Sequence, residues 1–141
     1  MSASYDHELM VKGLMSWVRS VKSPFEASQL YSDCTLLPKY ESPQLLNGFR
    51  PDILAISNNS MSFLVADAKT STDVESNRTR NQLRGFLEWL SSREKSYIVL
   101  GVPWVSKASA MSLLKFLIAS NSYTKITPIV VDCSSWLVEK S

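Results

Sequence analysis

Pro51-Asp52-Ile53-Leu54-Ala55-Ile56-Ser57-Asn58-Asn59-Ser60-Met61-Ser62-Phe63-Leu64-Val65-Ala66-Asp67-Ala68-Lys69 is the stretch on which the fold turns. Two apolar runs, residues 53–56 and 63–66, flank a polar Ser-Asn-Asn-Ser segment, the pattern of a β-hairpin. Both faces of each run are largely apolar, so the hairpin belongs in a central sheet covered on both sides. Asp52 stands at its entrance, Asp67 at its exit, and Lys69 two residues further on.

Hairpin parity decides whether those groups meet. If residues 57–60 form the loop, Ile56 lies opposite Met61, Asp52 opposite Val65 and Arg50 opposite Asp67. Side chains alternate faces with period two, so this register projects Asp52, Val65, Asp67 and Lys69 from one side of the sheet. Asp52 is then a diagonal neighbour of Asp67, within range to share a cation. Ala68 points to the opposite face and packs. A slip of one residue separates the carboxylates, so the prediction rests on a loop of even length.

Working outward, Met10, Leu14, Trp17 and Val21 recur at helical spacing, with Val11, Met15 and Val18 widening the stripe. The spacing predicts a helix over 5–21, ended by Pro24. Residues 26–48 carry no clean period and are read as a short helix, one irregular strand and a loop. Beyond the hairpin come a helix over 77–93 on Leu83, Phe86, Leu87 and Leu90, then a strand over 97–102. Ser106 is expected to cap a helix through Ala119 built on Met111, Leu114, Leu117 and Ile118, and a strand over 127–131 follows. A hairpin makes antiparallel neighbours, whereas strand-helix-strand favours a parallel pair. The expected fold is a three-layer α/β/α sandwich around a central mixed β-sheet, in a single domain of residues 1–141.

Composition bounds the function. With 141 residues, 45% of them hydrophobic, the chain can bury a real core, and a second domain is not expected. Fifteen Lys and Arg against thirteen Asp and Glu give a formal charge of +2, which permits a nucleic-acid partner without requiring one. Cys34 and Cys133 have no second Cys or His at metal-ligand spacing, so zinc is not expected and free thiols are. No secretory signal or bilayer-length apolar run is present, so the protein is read as intracellular, soluble and without a membrane partner. A chain beginning at Met1 is read as a complete small protein. The absence of a Gly-rich phosphate loop argues against an NTP-driven motor.

Two carboxylates and a lysine in this order suit metal-assisted phosphodiester hydrolysis. The carboxylates hold one or two divalent cations that polarise the phosphate, and the lysine positions or helps deprotonate the attacking water. Asp after Pro at a strand entrance, and Asp-X-Lys on a surface strand, are each ordinary. Their meeting at the end of one apolar hairpin favours a metal site. Arg78, Arg80 and Arg84, with Lys69 upstream and Arg93 and Lys95 downstream, can neutralise phosphates. A solvated helix face is the simpler reading of any single arginine. Thr70, Ser71 and Thr72 can donate to a phosphate or simply end a strand. His7, the sole histidine, is read as a surface residue, with assistance to a metal as the other reading.

Through Pro51, Asp52, Asp67 and Lys69 the chain resembles the PD-(D/E)XK nuclease superfamily, whose core is helix, three strands, helix, strand. Asp67 takes the second acidic position, more often Glu in that family. The resemblance covers residues 5–102, and the later helix and strand fit a frequent extension. It implies a restriction-endonuclease-like fold and a metal-dependent nuclease, a DNA endonuclease in the leading reading and an RNA endonuclease in the alternative. Mg²⁺ or Mn²⁺ would be held by Asp52, Asp67, the Ala68 carbonyl and Glu8. The implied catalytic set is Asp52, Asp67, Lys69, Glu8 and Gln82. Helical spacing groups Glu8 with Val11, Met15 and Val18, toward the sheet, although an acid there also suits the helix N-terminal dipole. Gln82, thirteen residues after Lys69, resembles the Gln of the Gln-X-X-X-Tyr motif in the recombination-exonuclease branch. Phe86 replaces the Tyr and reads as core. The size is similar to that of archaeal Holliday-junction resolvases, which act as dimers, so a homodimer and a branched substrate are implied. The rival reading is a non-catalytic nucleic-acid-binding or protein-interaction module that retains the fold.

Overall fold

The computed structural model describes residues 4–20 and 22–138. Helix α1 (Tyr5–Val18) forms where the apolar stripe predicts it, and Val21 lies outside the described residues. Ser4 caps it, its Oγ accepting the His7 N–H at 3.1 Å and so satisfying a donor that has no partner within the helix. β1 (Ala27–Tyr31) carries a bulge between Ala27 and Gln29. No helix is found among the described residues 32–50, contrary to the short helix expected there. Ser, Pro and Tyr interrupt that segment too often for a helical stripe to bury itself.

β2 (Ile53–Ser57) and β3 (Ser62–Ala68) form the hairpin. After it come a short helix α2 (Ser71–Val74), α3 (Asn77–Ser91) and β4 (Lys95–Val102). A 3₁₀ turn (Trp104–Ser106), α4 (Lys107–Ser120), β5 (Ile126–Asp132) and α5 (Ser134–Val138) complete the chain. Ser106 precedes α4 as expected but makes no side-chain cap, because the 3₁₀ turn delivers the chain directly into the helix. The strands lie in the order β1-β2-β3-β4-β5, antiparallel across β1-β2-β3 and parallel across β3-β4-β5. This is an α/β fold with a five-stranded mixed sheet.

Apolar runs in β2, β3 and β4 bury both faces. Ile53, Ala55, Leu64, Ala66, Ala68 and Val99 pack beneath Met10, Leu14 and Met15 of α1. Leu54, Val65, Ile98 and Leu100 pack against Leu83, Phe86 and Leu87 of α3 and Leu114 of α4. Helices thus cover both faces, compatible with a three-layer sandwich. Phe86 is fully buried, as its reading as core requires; truncation to Ala would cost about 3–5 kcal/mol. Two glycines set close approaches. A Cβ on Gly13 would sit 2.1 Å from the Trp136 ring, so α5 reaches α1 only because that position lacks a side chain. A Cβ on Gly101 would stand 3.3 Å from Leu14, which lets α1 lie low over β3 and β4.

Candidate active site

The site lies where β2 begins and β3 ends. The hairpin pairs Ile56 with Phe63 and Ile53 with Ala66, two residues away from the expected register. One further step sets Asp52 opposite Asp67, directly rather than diagonally, and Arg50 no longer faces Asp67. The cause is local. Ser60 takes a left-handed conformation at φ 60°, and its N–H donates to the Ser57 carbonyl. The Asn59 side chain then accepts the Met61 N–H, so Met61 joins the loop instead of the strand. An even shift preserves parity, which is why the carboxylates still meet.

Pro51 has no N–H to continue the ladder, and the two aspartates replace its next rungs. The Asp52 N–H donates to Asp67 Oδ1 at 2.7 Å, and the Ala68 N–H donates to Asp52 Oδ2 at 2.8 Å. Each carboxylate thus holds the other strand's backbone. Asp67 follows the α3 side of the sheet with Val65, and its Oδ2 lies 2.9 Å from Lys69 Nζ. Lys69 Nζ also donates to Gln82 Oε1 on α3 at 2.5 Å, while the Lys69 N–H donates to the Gly101 carbonyl of β4. The lysine is therefore fixed at both its backbone and its ammonium. Ala68 packs on the α1 side as expected.

Electrostatics make Asp67 the unusual group. It is 2% exposed, and burial pushes its carboxyl up to about 7, with the Asp52 charge adding to the rise and Lys69 opposing it. His7 is drawn into the site rather than left on the surface, Nε2 lying 3.1 Å from Asp52 Oδ2. The hydrogen bond to Asp52 raises its pKa, with burial working against it. The signal was present in the sequence: His7 precedes Met10, Val11 and Leu14 by three, four and seven residues, all on the buried stripe.

The other predicted residues divide. Gln82 joins the site through Lys69. Glu8 turns its Oε2 to the Thr35 N–H at 3.0 Å, and its carbonyl accepts a 3.5 Å contact from the Cys34 thiol, so it ties α1 to the loop after β1. Among the described residues no group of three or more His, Cys, Asp and Glu is arranged to hold a metal ion. Arg78, Arg80 and Arg84 are exposed on α3, with Arg84 Nη1 reaching Asn81 Oδ1 at 3.4 Å. Thr70 caps α2, its Oγ1 accepting the Asp73 N–H. Burial pushes the Cys34 thiol up to about 12 and the Cys133 thiol to about 11, which leaves both poor nucleophiles. No helix among the described residues is long and apolar enough to cross a membrane. Comparisons with protein-family models, with curated proteins and with solved structures find no match.

Proposed function

We propose that this chain is a divalent-metal-dependent nuclease with a restriction-endonuclease-like fold, hydrolysing phosphodiester bonds in nucleic acid. One observation carries the reading: a buried Asp67 directly opposite Asp52 and clasped by Lys69, at the end of a parallel-strand pair. Burial and the neighbouring Asp52 charge raise the proton affinity of Asp67, and a hard cation relieves both burial and repulsion. The oxygen donors therefore fit Mg²⁺ or Mn²⁺. Asp52 and Asp67 would hold the ion together with the Ala68 carbonyl, and Glu8 would join only by releasing the Thr35 N–H. When bound, such an ion supplies Lewis-acid stabilisation of the charge that develops on the phosphate.

The chain's own groups do the rest. Lys69, held by Asp67 and Gln82, presents an ammonium whose remaining donor capacity orients the attacking water and meets negative charge in the transition state. Gln82 positions that ammonium. His7 steadies the Asp52 carboxylate at Oδ2, leaving the geometry of the pair less dependent on side-chain rotation.

A second reading, a non-catalytic module, is favoured by a different observation. Both carboxylates already have partners within the chain, in the Asp52 and Ala68 N–H groups, His7 and Lys69, and Glu8 is engaged elsewhere. Incubation of single-stranded, duplex and branched DNA and of RNA with Mg²⁺, Mn²⁺ or EDTA separates the two. The nuclease reading expects metal-dependent cleavage that is lost in Asp67→Ala and Lys69→Ala. Cleavage that survives either substitution defeats the site assignment, and metal-independent binding without cleavage supports the module.

A further inference from the structure

The turn after β4 carries two of the most exposed large apolar side chains in the fold, Trp104 at 68% and Val105 at 69%. An indole left in water is uncommon, since it forfeits the large burial available to it. Its backbone is nevertheless held firmly. Pro103 precedes it, the Ser106 N–H donates to the Pro103 carbonyl at 2.9 Å, and the Trp104 N–H donates to Ser134 Oγ at 2.9 Å. A rigid mount under an exposed ring describes a surface kept ready for contact.

Its location ties it to the site. β3 and β4 run parallel, with Ala68 level with Gly101 and the Lys69 N–H on the Gly101 carbonyl, so Trp104 leaves the sheet at the end that carries Asp67 and Lys69. The turn packs against α2, which begins two residues after Lys69, and against α4. The same two helices flank a shallow cleft of about 270 Å³ lined by Arg80 of α3, Ser109, Ser112 and the 63% exposed Phe116. Arg84 lies one helical turn beyond Arg80 and is exposed as well. Glu75 also lines the cleft, so this surface is mixed in charge rather than uniformly basic. An exposed aromatic plane, on a turn whose flanking helices border a cleft that holds the Arg80 side chain, is what an unpaired nucleobase and its phosphate require. A paired base inside a duplex offers no face to such a ring.

We infer that Trp104 is a stacking platform for an unpaired base of the strand whose phosphate enters the Asp52–Asp67–Lys69 site, so that the substrate is single-stranded or locally opened nucleic acid. This rests on the nuclease reading for the site itself. The platform belongs to the same end of the sheet because β3 and β4 are parallel, and its rigidity fixes the base before the phosphate is engaged.

The test reads binding apart from cleavage. Full-length protein in EDTA is titrated with a twelve-nucleotide oligothymidylate and, separately, with a blunt twelve-base-pair duplex, in wild type, Trp104→Phe and Trp104→Ala. Single-strand affinity should fall about tenfold in Trp104→Ala and by less than about threefold in Trp104→Phe, with duplex affinity unchanged. Tryptophan emission of wild type should be quenched by the oligothymidylate, and that quench should vanish in Trp104→Phe. Unchanged circular dichroism and melting in the variants exclude a folding defect. Equal loss for strand and duplex, no loss for the strand, no wild-type binding at all, or a dimer that Trp104→Ala dissociates would each overturn the inference. A wild type that stacks the strand through Trp104 yet cleaves nothing sinks the nuclease reading alone, whereas cleavage indifferent to Trp104 sinks the platform alone.

Discussion

Replacing Asp67 with Asn tests the electrostatic core of the site. Burial and the Asp52 charge lift the Asp67 carboxyl from 3.8 to about 7. Between those values the folded chain keeps a proton that the unfolded chain has given up. A raised acid therefore lends stability that is fully present below its unfolded pKa and is lost as pH rises through about 7. At about 1.36 kcal/mol per pH unit over that interval, the loss amounts to roughly 4 kcal/mol. Because Asp67 is buried, solvent screening does little to reduce it. Asn has nearly the same shape as the protonated acid and does not titrate, and the net rise already includes the opposing attraction of Lys69. Asp67→Asn should therefore be more stable than wild type by up to about 4 kcal/mol at pH 8, the advantage shrinking to about 1 kcal/mol near pH 4.5. The Asp52 hydrogen bond is the largest cause of the rise at His7 and Asp67 a lesser one, and the substitution leaves Asp52 in place, so the difference between the two curves reports chiefly Asp67. Urea denaturation at half-unit steps from pH 4.5 to 8 measures this. Parallel curves for the two proteins, or wild type gaining on the variant toward pH 8, would refute the claim that Asp67 is a strained buried charge.

Four further outcomes are expected. Lys69→Met should lower cleavage at least about a hundredfold while oligonucleotide binding in EDTA persists; a loss confined to binding would contradict its placement at the reacting atoms. Gln82→Leu should reduce kcat about tenfold with KM little changed, because it acts by holding Lys69, and equal changes in both constants would argue for direct substrate binding. Millimolar Mn²⁺ should raise the melting temperature of wild type and leave Asp52→Ala unmoved, with proton release on binding at pH 6; equal stabilisation of both would place the ion elsewhere. Gly13→Ala should drive Trp136 off α1, lowering stability by about 1–3 kcal/mol and shifting tryptophan emission to the red, and a neutral substitution would mean that α5 contributes nothing to the fold.

Much of the architecture is legible in local patterns. The stripe of Met10, Leu14, Met15 and Val18 announces α1, and the two apolar runs announce the hairpin, because helical and strand periods are properties of neighbouring residues. The convergence of Asp52 and Asp67 was legible for a related reason, since only the parity of the loop mattered and parity survives a shift of two. The shift itself was not legible. It depends on Ser60 in a left-handed conformation and on the Asn59 side chain capturing the Met61 N–H, details of turn geometry that an apolar Met61 disguised. α2 and α5 escaped because helices of four and five residues leave too short a stripe to read.

The sequence by itself determined the pairing of β2 with β3, the two-faced burial of the central strands, and the presence of two acids and a lysine at one end of the hairpin. Only the tertiary structure decided what those groups touch. His7 meets Asp52 across forty-five residues, Gln82 meets Lys69 from another element, and Glu8 is turned to Thr35. Periodicity assigns a side chain to a face, but its partner is set by how closely α1 and α3 settle on the sheet. Gly101 and Leu14 fix that distance for α1, and residues far apart in the chain must be in place together before it exists.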